Sequence, residues 1–370
     1  MEKLTLTSKL RGMGKEFLLQ TSGDPRTGKG SCILFEGGNP IDVVEFALPD
    51  NGNQAANAVD EYHKLRQDRF QRLSELYSEL TDESDVAILE KLAISLIDQK
   101  LYDEAIIVLE KAVADAPANS RLVNFLGLTY LELEDFDKAK ANFEKAIESS
   151  PDFPDYHNNL GRVLLKQGSC YQSSKCFEKA IQLNVYFAEA YYNLAMAVIV
   201  NGIKKEDYNL ARNLEDNATN LLAKSVGFNP TFKNDHLQKG LDALETKDLE
   251  TAFIELSLGY DEATKGKFPK KTYNFHLEYL SRNDLLREEK VVRHIKSLRK
   301  MLDLHPNYPD LYNELGIAYT VLVQFHSDRA IESFQTALKL NPDYKTAMKN
   351  LKLIENELKG LKTLLKAILK

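Results

Sequence analysis

The chain has 370 residues, 43% of them hydrophobic, and a formal net charge of −7. That length exceeds one ordinary domain, so two units or one elongated array are expected. The acidic balance excludes a general nucleic-acid binder, which needs a basic surface to neutralise phosphates. Charge is unevenly spread: Lys and Arg against Asp and Glu number 10 and 12 over residues 1–80, 15 and 23 over 81–230, and 23 and 20 over 231–370. Three cysteines, an odd number, with Cys170 and Cys176 inside one predicted helical hairpin, point to a reducing compartment. The sequence shows no signal-peptide pattern and no apolar run of spanning length, so a soluble cytoplasmic protein is expected.

The first stretch that resembles chemistry is "GDPRTGKGS", Gly23 to Ser31. A phosphate-binding loop needs a buried strand, then G-x4-G-K-[ST], then a helix whose N-terminus faces the phosphates. Gly23, Gly28 and Lys29 keep that spacing, but Gly30 stands where the magnesium-binding hydroxyl belongs and Ser31 is displaced by one. Downstream, "CILFEGGNPIDVVEFALP" reads as strand, turn, strand. With "KEFLLQTS" upstream, residues 15–48 are predicted to form a three-stranded antiparallel meander whose first loop is "SGDPRTGKGS". Nucleotide binding is kept as the alternative reading of that loop. So small a sheet has too little core to stand alone. Its expected support is a helix from Asn53 to Leu80, with Val59, Tyr62, Leu65, Phe70, Leu73 and Leu76 at three- and four-residue steps. This N-terminal unit reads as a docking module, a dimer contact or a cap.

Beyond it the chain repeats. Pro117, Pro151 and Val185 close the parallel phrases "EKAVADAP", "EKAIESSP" and "EKAIQLNV" at two equal intervals, each of about 34 residues. In step with them run Ala105, Ala139 and Ser173, then Leu109, Phe143 and Phe177, then Ala112, Ala146 and Ala180. Unit four starts near Ala188 and closes at Pro230, late for the period, which predicts an insertion carried as a longer second helix. Pro230 to Pro306 accommodates two stretched units, and unit seven, "DLYNELGIAYTVLVQFHSDRAIESFQTALKLNP", carries two extra residues in its expected turn. The last stretch, residues 345–370, is an amphipathic helix expected to cap the array. Its Lys359, Lys362, Lys366 and Lys370, interleaved with Leu361, Leu364, Leu365 and Ile368, also suit anionic lipid or an acidic partner.

Leu126-Gly127, Tyr130, Ala139, Phe143, Ala146 and Pro151, followed by Leu160-Gly161, Gly168, Phe177 and Ala180, resemble the tetratricopeptide repeat superfamily over about residues 86–344. The resemblance implies a mainly α fold: a right-handed solenoid of about seven helix pairs, with the small β-meander before it and the capping helix after it. The expected domains are residues 1–53 (β-meander docking unit), 54–82 (connecting helix), 83–344 (solenoid) and 345–370 (cap). Small residues let helix axes approach while Tyr130 and Phe143 fill the gap between them.

The resemblance places partner-facing residues on the first helix of each unit: Arg121 and Asn124; Asn158, Asn159, Arg162 and Lys166; Tyr192, Asn193 and Met196. Asparagine amides both donate to and accept from a peptide backbone, and the cations attract a carboxylate. The family's carboxylate clamp for chaperone tails pairs a lysine with an asparagine four apart, then a lysine with an arginine. Here Asn158 and Arg162, with Glu90 and Ile94 in unit one, depart from it. The sequence contains no H-E-x-x-H, G-x-S-x-G or paired-cysteine zinc spacing. The expectation is therefore a non-enzymatic adaptor without cofactor or metal, binding a protein or peptide partner and no nucleic acid. A nucleotide-regulated assembly factor and a self-associating scaffold, a homo-oligomer, are the alternatives.

Overall fold

Alternating apolar and polar residues at the N-terminus fold as a four-stranded antiparallel sheet in up-and-down order: β1 (Leu4–Gly12), β2 (Lys15–Asp24), β3 (Lys29–Glu36) and β4 (Asn39–Ala47). The structure is a computed structural model and describes residues 4–49, 52–207, 213–264, 273–281, 286–304 and 309–369. The sheet has one strand more than expected. β1 buries only Leu10, at 3% exposure, so its sequence carries almost no alternating signal. Met13-Gly14 and Gly37-Gly38 turn the chain with positive φ at both residues of each pair, the geometry that suits two-residue hairpins. The look-alike loop shrinks to Pro25–Gly28: Gly23 and Gly30 pair directly across β2 and β3, and a strand stands where a phosphate loop needs a helix.

Those two glycines serve packing. A Cβ on Gly23 would meet Val59 at 2.7 Å, and one on Gly30 would meet the Phe46 ring at 2.5 Å. The missing side chains let α1 (Gly52–Leu80) and Phe46 settle on the sheet, where Phe46 stacks on Tyr62 with centroids 4.2 Å apart. Beneath them His63 bridges Ser8 Oγ at 2.8 Å and Thr21 Oγ1 at 2.9 Å, and the Thr21 hydroxyl donates to Cys32 Sγ at 3.0 Å. One neutral tautomer satisfies the whole chain: Nδ1–H donates to Thr21 and Nε2 accepts from Ser8. Arg66 and Asp42 form a buried ion pair nearby. At the hairpin end Lys15 Nζ lies 2.6 Å from Glu36 and 2.8 Å from the buried Glu104. Burial opposes the ammonium, but hydrogen bonds to Glu104 and Glu36 hold it above its ordinary pKa.

The helices follow as α2 (Val86–Asp98), α3 (Tyr102–Asp115), α4 (Ser120–Glu132), α5 (Phe136–Ser149), α6 (Pro154–Lys166), α7 (Cys170–Leu183), α8 (Ala188–Lys204), α9 (Leu214–Phe228), α10 (Asp235–Glu245) and α11 (Leu249–Thr264). Four hairpin turns place one residue in the left-handed region: Lys100, Glu134, Gly168 and Lys247, with φ of 61°, 58°, 81° and 63°. Across three hairpins a knob fills a glycine socket. A Cβ on Gly127 would meet Phe143 at 2.7 Å, one on Gly161 would meet Phe177 at 2.5 Å, and one on Gly240 would meet Leu256 at 2.6 Å.

Unit four departs from expectation because its first helix, α8, is the longer one, with 17 residues against 13 in α4 and α6. The second helix, α9, has 15 residues against 14 in α5 and α7. Asn201 explains the break: its amide donates to Asp207 O and accepts from Asp207 N, both at 2.8 Å, holding the chain out of helix after Lys205 at φ 57°. Glu206 then accepts from Cys170 N at 2.8 Å, capping α7, whose own Ser169 makes no side-chain cap. That backbone N–H is the main reason the Glu206 carboxylate lies below its ordinary pKa. Residues 208–212 of the insertion, and Pro306 and Lys370, lie outside the described residues.

By compactness the chain falls into two units, Met1–Arg69 with Ala93–Lys271, and Phe70–Leu92 with Thr272–Lys370. The second holds the end of α1, the start of α2, and α12 (Tyr273–Ser281), α13 (Glu288–Leu304), α14 (Pro309–Leu340) and α15 (Lys345–Leu369). Its core gathers Phe275, Tyr279, Val291, Leu298, Val321 and Leu365. Burial pushes the His294 imidazole, stacked on Phe275 at 4.3 Å, down to about 4. Here a second expectation fails: unit seven is one continuous 32-residue helix, α14. Phe325 occupies the left-handed position five places before the alanine that follows each turn, and a bulky aromatic resists positive φ. His326 occupies the cap position held elsewhere by Asp135 and Asp248, which accept from Lys138 N at 3.2 Å and Thr251 N at 3.1 Å. Lacking a turn residue and a cap, the helix continues.

Two outcomes follow. Gly161→Ala should destabilise the repeat region by about 1–3 kcal/mol, whereas Gly227→Ala, whose Cβ meets nothing within 4 Å among the described residues, should not; thermal unfolding of both variants checks this. Burial lowers the His63 pKa, so below its unfolded value the denatured chain binds the extra proton and the stability present at neutral pH is lost on acidification. Protection factors of the β2 and β3 amides, which divide out the pH dependence of intrinsic exchange, should fall from pH 7.5 to 5, and His63→Gln should flatten that fall.

Candidate partner-binding groove

The constant repeat length sets α4, α6 and α8 side by side as first helices, because each turn and each closing loop uses the same number of residues. Asn119 caps α4 by accepting from Arg121 N at 3.2 Å and Leu122 N at 3.4 Å, and Pro154 opens α6 at its first turn. Equivalent residues therefore fall in rows: Arg121, Asp155 and Glu189; Asn124, Asn158 and Tyr192; Phe125, Asn159 and Asn193; Leu128, Arg162 and Met196.

The four asparagines join these helices to one another. Asn159 Nδ2 donates to Asn124 Oδ1 at 3.0 Å, and Asn193 Nδ2 donates to Asn158 Oδ1 at 3.0 Å. All four are buried, at 2–7% exposure, so this ladder is a structural tie before it is anything else. Above it, Arg121 and Lys166 are exposed and Arg162 is half-buried. The Arg121 guanidinium lies over the Phe125 ring, 5.5 Å from its centroid. Desolvation within the groove, and then the Glu189 charge, push the Asp155 carboxyl above its ordinary pKa.

At α8 the groove is filled from within. Tyr192 is fully buried and its hydroxyl donates to Leu256 O of α11 at 2.8 Å. Its ring lies 5.0 Å from Phe232 and 5.5 Å from Tyr260. Met196 joins the same core with Ala252 and Leu256, and Asn193 also donates to Tyr260 Oη at 3.4 Å. Of the predicted groove residues, then, the structure leaves Arg121, Arg162 and Lys166 at the surface, sets Asn124, Asn158, Asn159 and Asn193 in the ladder beneath, and places Tyr192 and Met196 under α11. Asp155 and Glu189 belong to the groove by the same period that located Arg121. Tyr260 reaches it from 67 residues beyond Asn193, a contact without any periodic signal.

Burial pushes the Cys170 and Cys176 thiols up to about 11 and raises Cys32 as well, and thiols so shifted carry almost no thiolate. Among the described residues no cluster of His, Cys, Asp or Glu is placed to hold a metal ion. Among the described residues, too, no helix is long and apolar enough to cross a membrane. At the far end of the chain Lys362 lies 3.7 Å from Asp328, and Lys359, Lys362 and Lys366 line a cavity of about 320 Å³ with Ile331 and Leu358. Leu365 is buried in the core and Leu361 packs against it, while Leu364 and Ile368 are exposed.

Family models match as "TPR repeat" over residues 127–168 and as "Tetratricopeptide repeat" over residues 154–184. The chain carries tetratricopeptide repeats. The two matches together run from the end of α4 through α7; they include Asn158, Asn159, Arg162 and Lys166 but not Arg121, Asn124, Tyr192 or Asn193. No curated protein matches the chain. Among solved structures, the tetratricopeptide-repeat protein YrrB, described as having an unusual peptide-binding site, is 20% identical, covers 50% of this chain and 91% of its own, and gives a TM-score of 0.35. MamA from Desulfovibrio magneticus RS-1 is 19% identical over 48% of this chain and 95% of its own, with a TM-score of 0.36. The first tetratricopeptide-repeat domain of Spaghetti (RPAP3), bound to an HSP90 peptide, is 21% identical over 31% and 92%, with a TM-score of 0.30.

The tetratricopeptide ladder is testable by itself. Asn158→Ala removes the acceptor of Asn193 Nδ2 and should cost about 1–3 kcal/mol, the penalty of a buried amide left without its partner. Arg162→Ala should leave the melting temperature within about 2 °C; differential scanning calorimetry compares the two.

Proposed function

We propose that the chain is a non-enzymatic protein–protein interaction adaptor whose open groove, over α4 and α6, takes an extended acidic peptide. The observation that carries this reading is the arrangement of Arg162 and Lys166 at the surface of α6, above asparagines hydrogen-bonded to one another in pairs. A peptide laid there meets cations and the Phe125 ring without displacing the ladder, so binding need not disturb the stack. Acidic side chains or a terminal carboxylate find charge-assisted donors in the arginines, while Asp155 and Glu189 set the polarity of the groove by repelling acids at its other rim.

The N-terminal sheet is, in the same reading, the dock for a second component. Its inner face is committed to α1. Its outer face presents half-buried Leu18, Ile33 and Phe35 beside Val43, which is 57% exposed. The nucleotide-regulated alternative finds no support in the Gly23–Ser31 segment, where the backbone is a β-hairpin and both strand glycines lie beneath apolar side chains.

Fluorescence polarisation with arrays of acidic, neutral and basic short peptides tests the groove. Acidic peptides should bind selectively, more weakly as salt rises, and Arg121→Ala/Arg162→Ala/Lys166→Ala should weaken them by about tenfold or more while leaving the thermal transition in place. Equal binding by wild type and the triple variant would move the partner surface elsewhere.

A further inference from the structure

The glycine socket of unit seven is open. In units two, three and five the knob follows its glycine at one fixed interval (Gly127 and Phe143, Gly161 and Phe177, Gly240 and Leu256), and all three knobs are fully buried. Unit seven has the same parts, Gly316 and Phe334, but two positions further apart and on one continuous helix. They stand about 27 Å apart along its axis, so α14 as a single straight helix cannot close its own socket. Among the described residues, a Cβ added at Gly316 meets nothing within 4 Å. Exposure agrees: Tyr312 and Tyr319 are 54% and 36% exposed, whereas their unit-two equivalents Val123 and Tyr130 are 0% and 6% exposed. Phe334 is only half-buried and stands outside the core that gathers Phe275 and Val321.

The two extra positions change more than the distance. Gly316 and Phe334 are separated by five full helical turns, so socket and knob lie on the same face of α14, whereas the interval used in the other units would set them on nearly opposite faces. Tyr312, Gly316, Tyr319, Val323, Ala330 and Phe334 form one stripe, with Val323 52% exposed in its middle. A stripe with a socket near one end and its matching knob near the other is self-complementary under a two-fold rotation.

We propose that this stripe is a dimer interface whose partner is a second copy of the chain, the two α14 helices lying antiparallel and centred on residue 325, with Phe334 of each copy seated at Gly316 of the other. Knob and socket are of the kind the chain uses three times within its own hairpins. Phe325 packs into the unit's own core, which anchors the helix in its straight form and keeps both halves of the stripe presented. The contact is independent of the groove over α4 and α6.

The test uses the full chain. Sedimentation equilibrium should give a dimer at micromolar concentration. Gly316→Leu, which has room in the structure but blocks the seat, should shift the protein to monomer with an unchanged circular dichroism spectrum. Co-expression of differently tagged Gly316→Cys and Phe334→Cys chains should yield, on mild oxidation, a covalent mixed dimer whose mass-spectrometric cross-link joins 316 to 334. A protein that is monomeric at every concentration, a Gly316→Leu variant that still dimerises, or a Gly316→Cys/Phe334→Cys double variant that links 316 to 334 within one chain would each overturn the proposal. Arg162→Ala/Lys166→Ala should leave the dimer intact, so failure of the groove and failure of this interface are separable.

Discussion

Packing of a bulky knob over a glycine is the interaction on which the repeat region depends. A helix pair gains little from its backbone alone and leaves an apolar flank wet, so its stability comes from how closely two axes approach and from what fills the gap. Where glycine removes a Cβ, the ring of Phe143 or Phe177 lies against backbone at a distance no side chain would permit. The alanines and serine on either side of the ring, Ala139 and Ala146, Ser173 and Ala180, all at 0% exposure, keep the axes close. The sheet follows the same rule: Gly23 and Gly30 are bare so that Val59 and Phe46 can sit down on the strands.

That rule accounts for what could and could not be read from residues alone. Gly127 with Phe143 and Gly161 with Phe177 announced the hairpins because spacing and residue type agree locally. β1 was hidden because an edge strand with one buried side chain has no pattern to show. The continuity of α14 was hidden for the opposite reason: its residue types match a hairpin throughout, and the decision rests on Phe325 and His326, where a turn needs a left-handed residue and a cap. For the groove, the rows of Arg121, Asn124 and Asn158 follow from the repeat period, but the partners of those asparagines do not. A buried amide in a row of amides looks the same in sequence whether it faces a ligand or its neighbour. Tyr260, Leu256 and Phe232 arrive from a later unit by tertiary packing.

The asparagine ladder and the α11 contact together divide the face of α4, α6 and α8 by chemistry. Over α4 and α6 the asparagines of the floor are hydrogen-bonded in pairs and the cations above it remain at the surface. Over α8 the same positions carry Tyr192 and Met196, apolar enough to take another helix of the same chain, and they do. A groove that ran unbroken along three first helices would present a longer surface; α11 covers it at α8, with Tyr260 reaching Asn193. The inserted residues of unit four contribute to this region at a distance. Asn201 stops α8 and Glu206 caps α7, and the pair that follows lays its second helix, α11, on α8.

Spacing therefore acts as a second code beside residue type. While the repeat length stays constant, the first helices keep their register and their side-chain amides meet across each boundary. After the insertion before Pro230 a later helix lies on α8. The two added positions in unit seven do something different again, because they act on a helix that does not turn: they bring a knob and a socket suited to opposite arms of a hairpin onto a single face. Each change is small in sequence and leaves the composition of the unit untouched, yet it alters which surfaces are hidden and which are presented. In an array where every unit is built from the same contacts, the differences between units arise less from new residue types than from the distance along the chain at which familiar ones are placed.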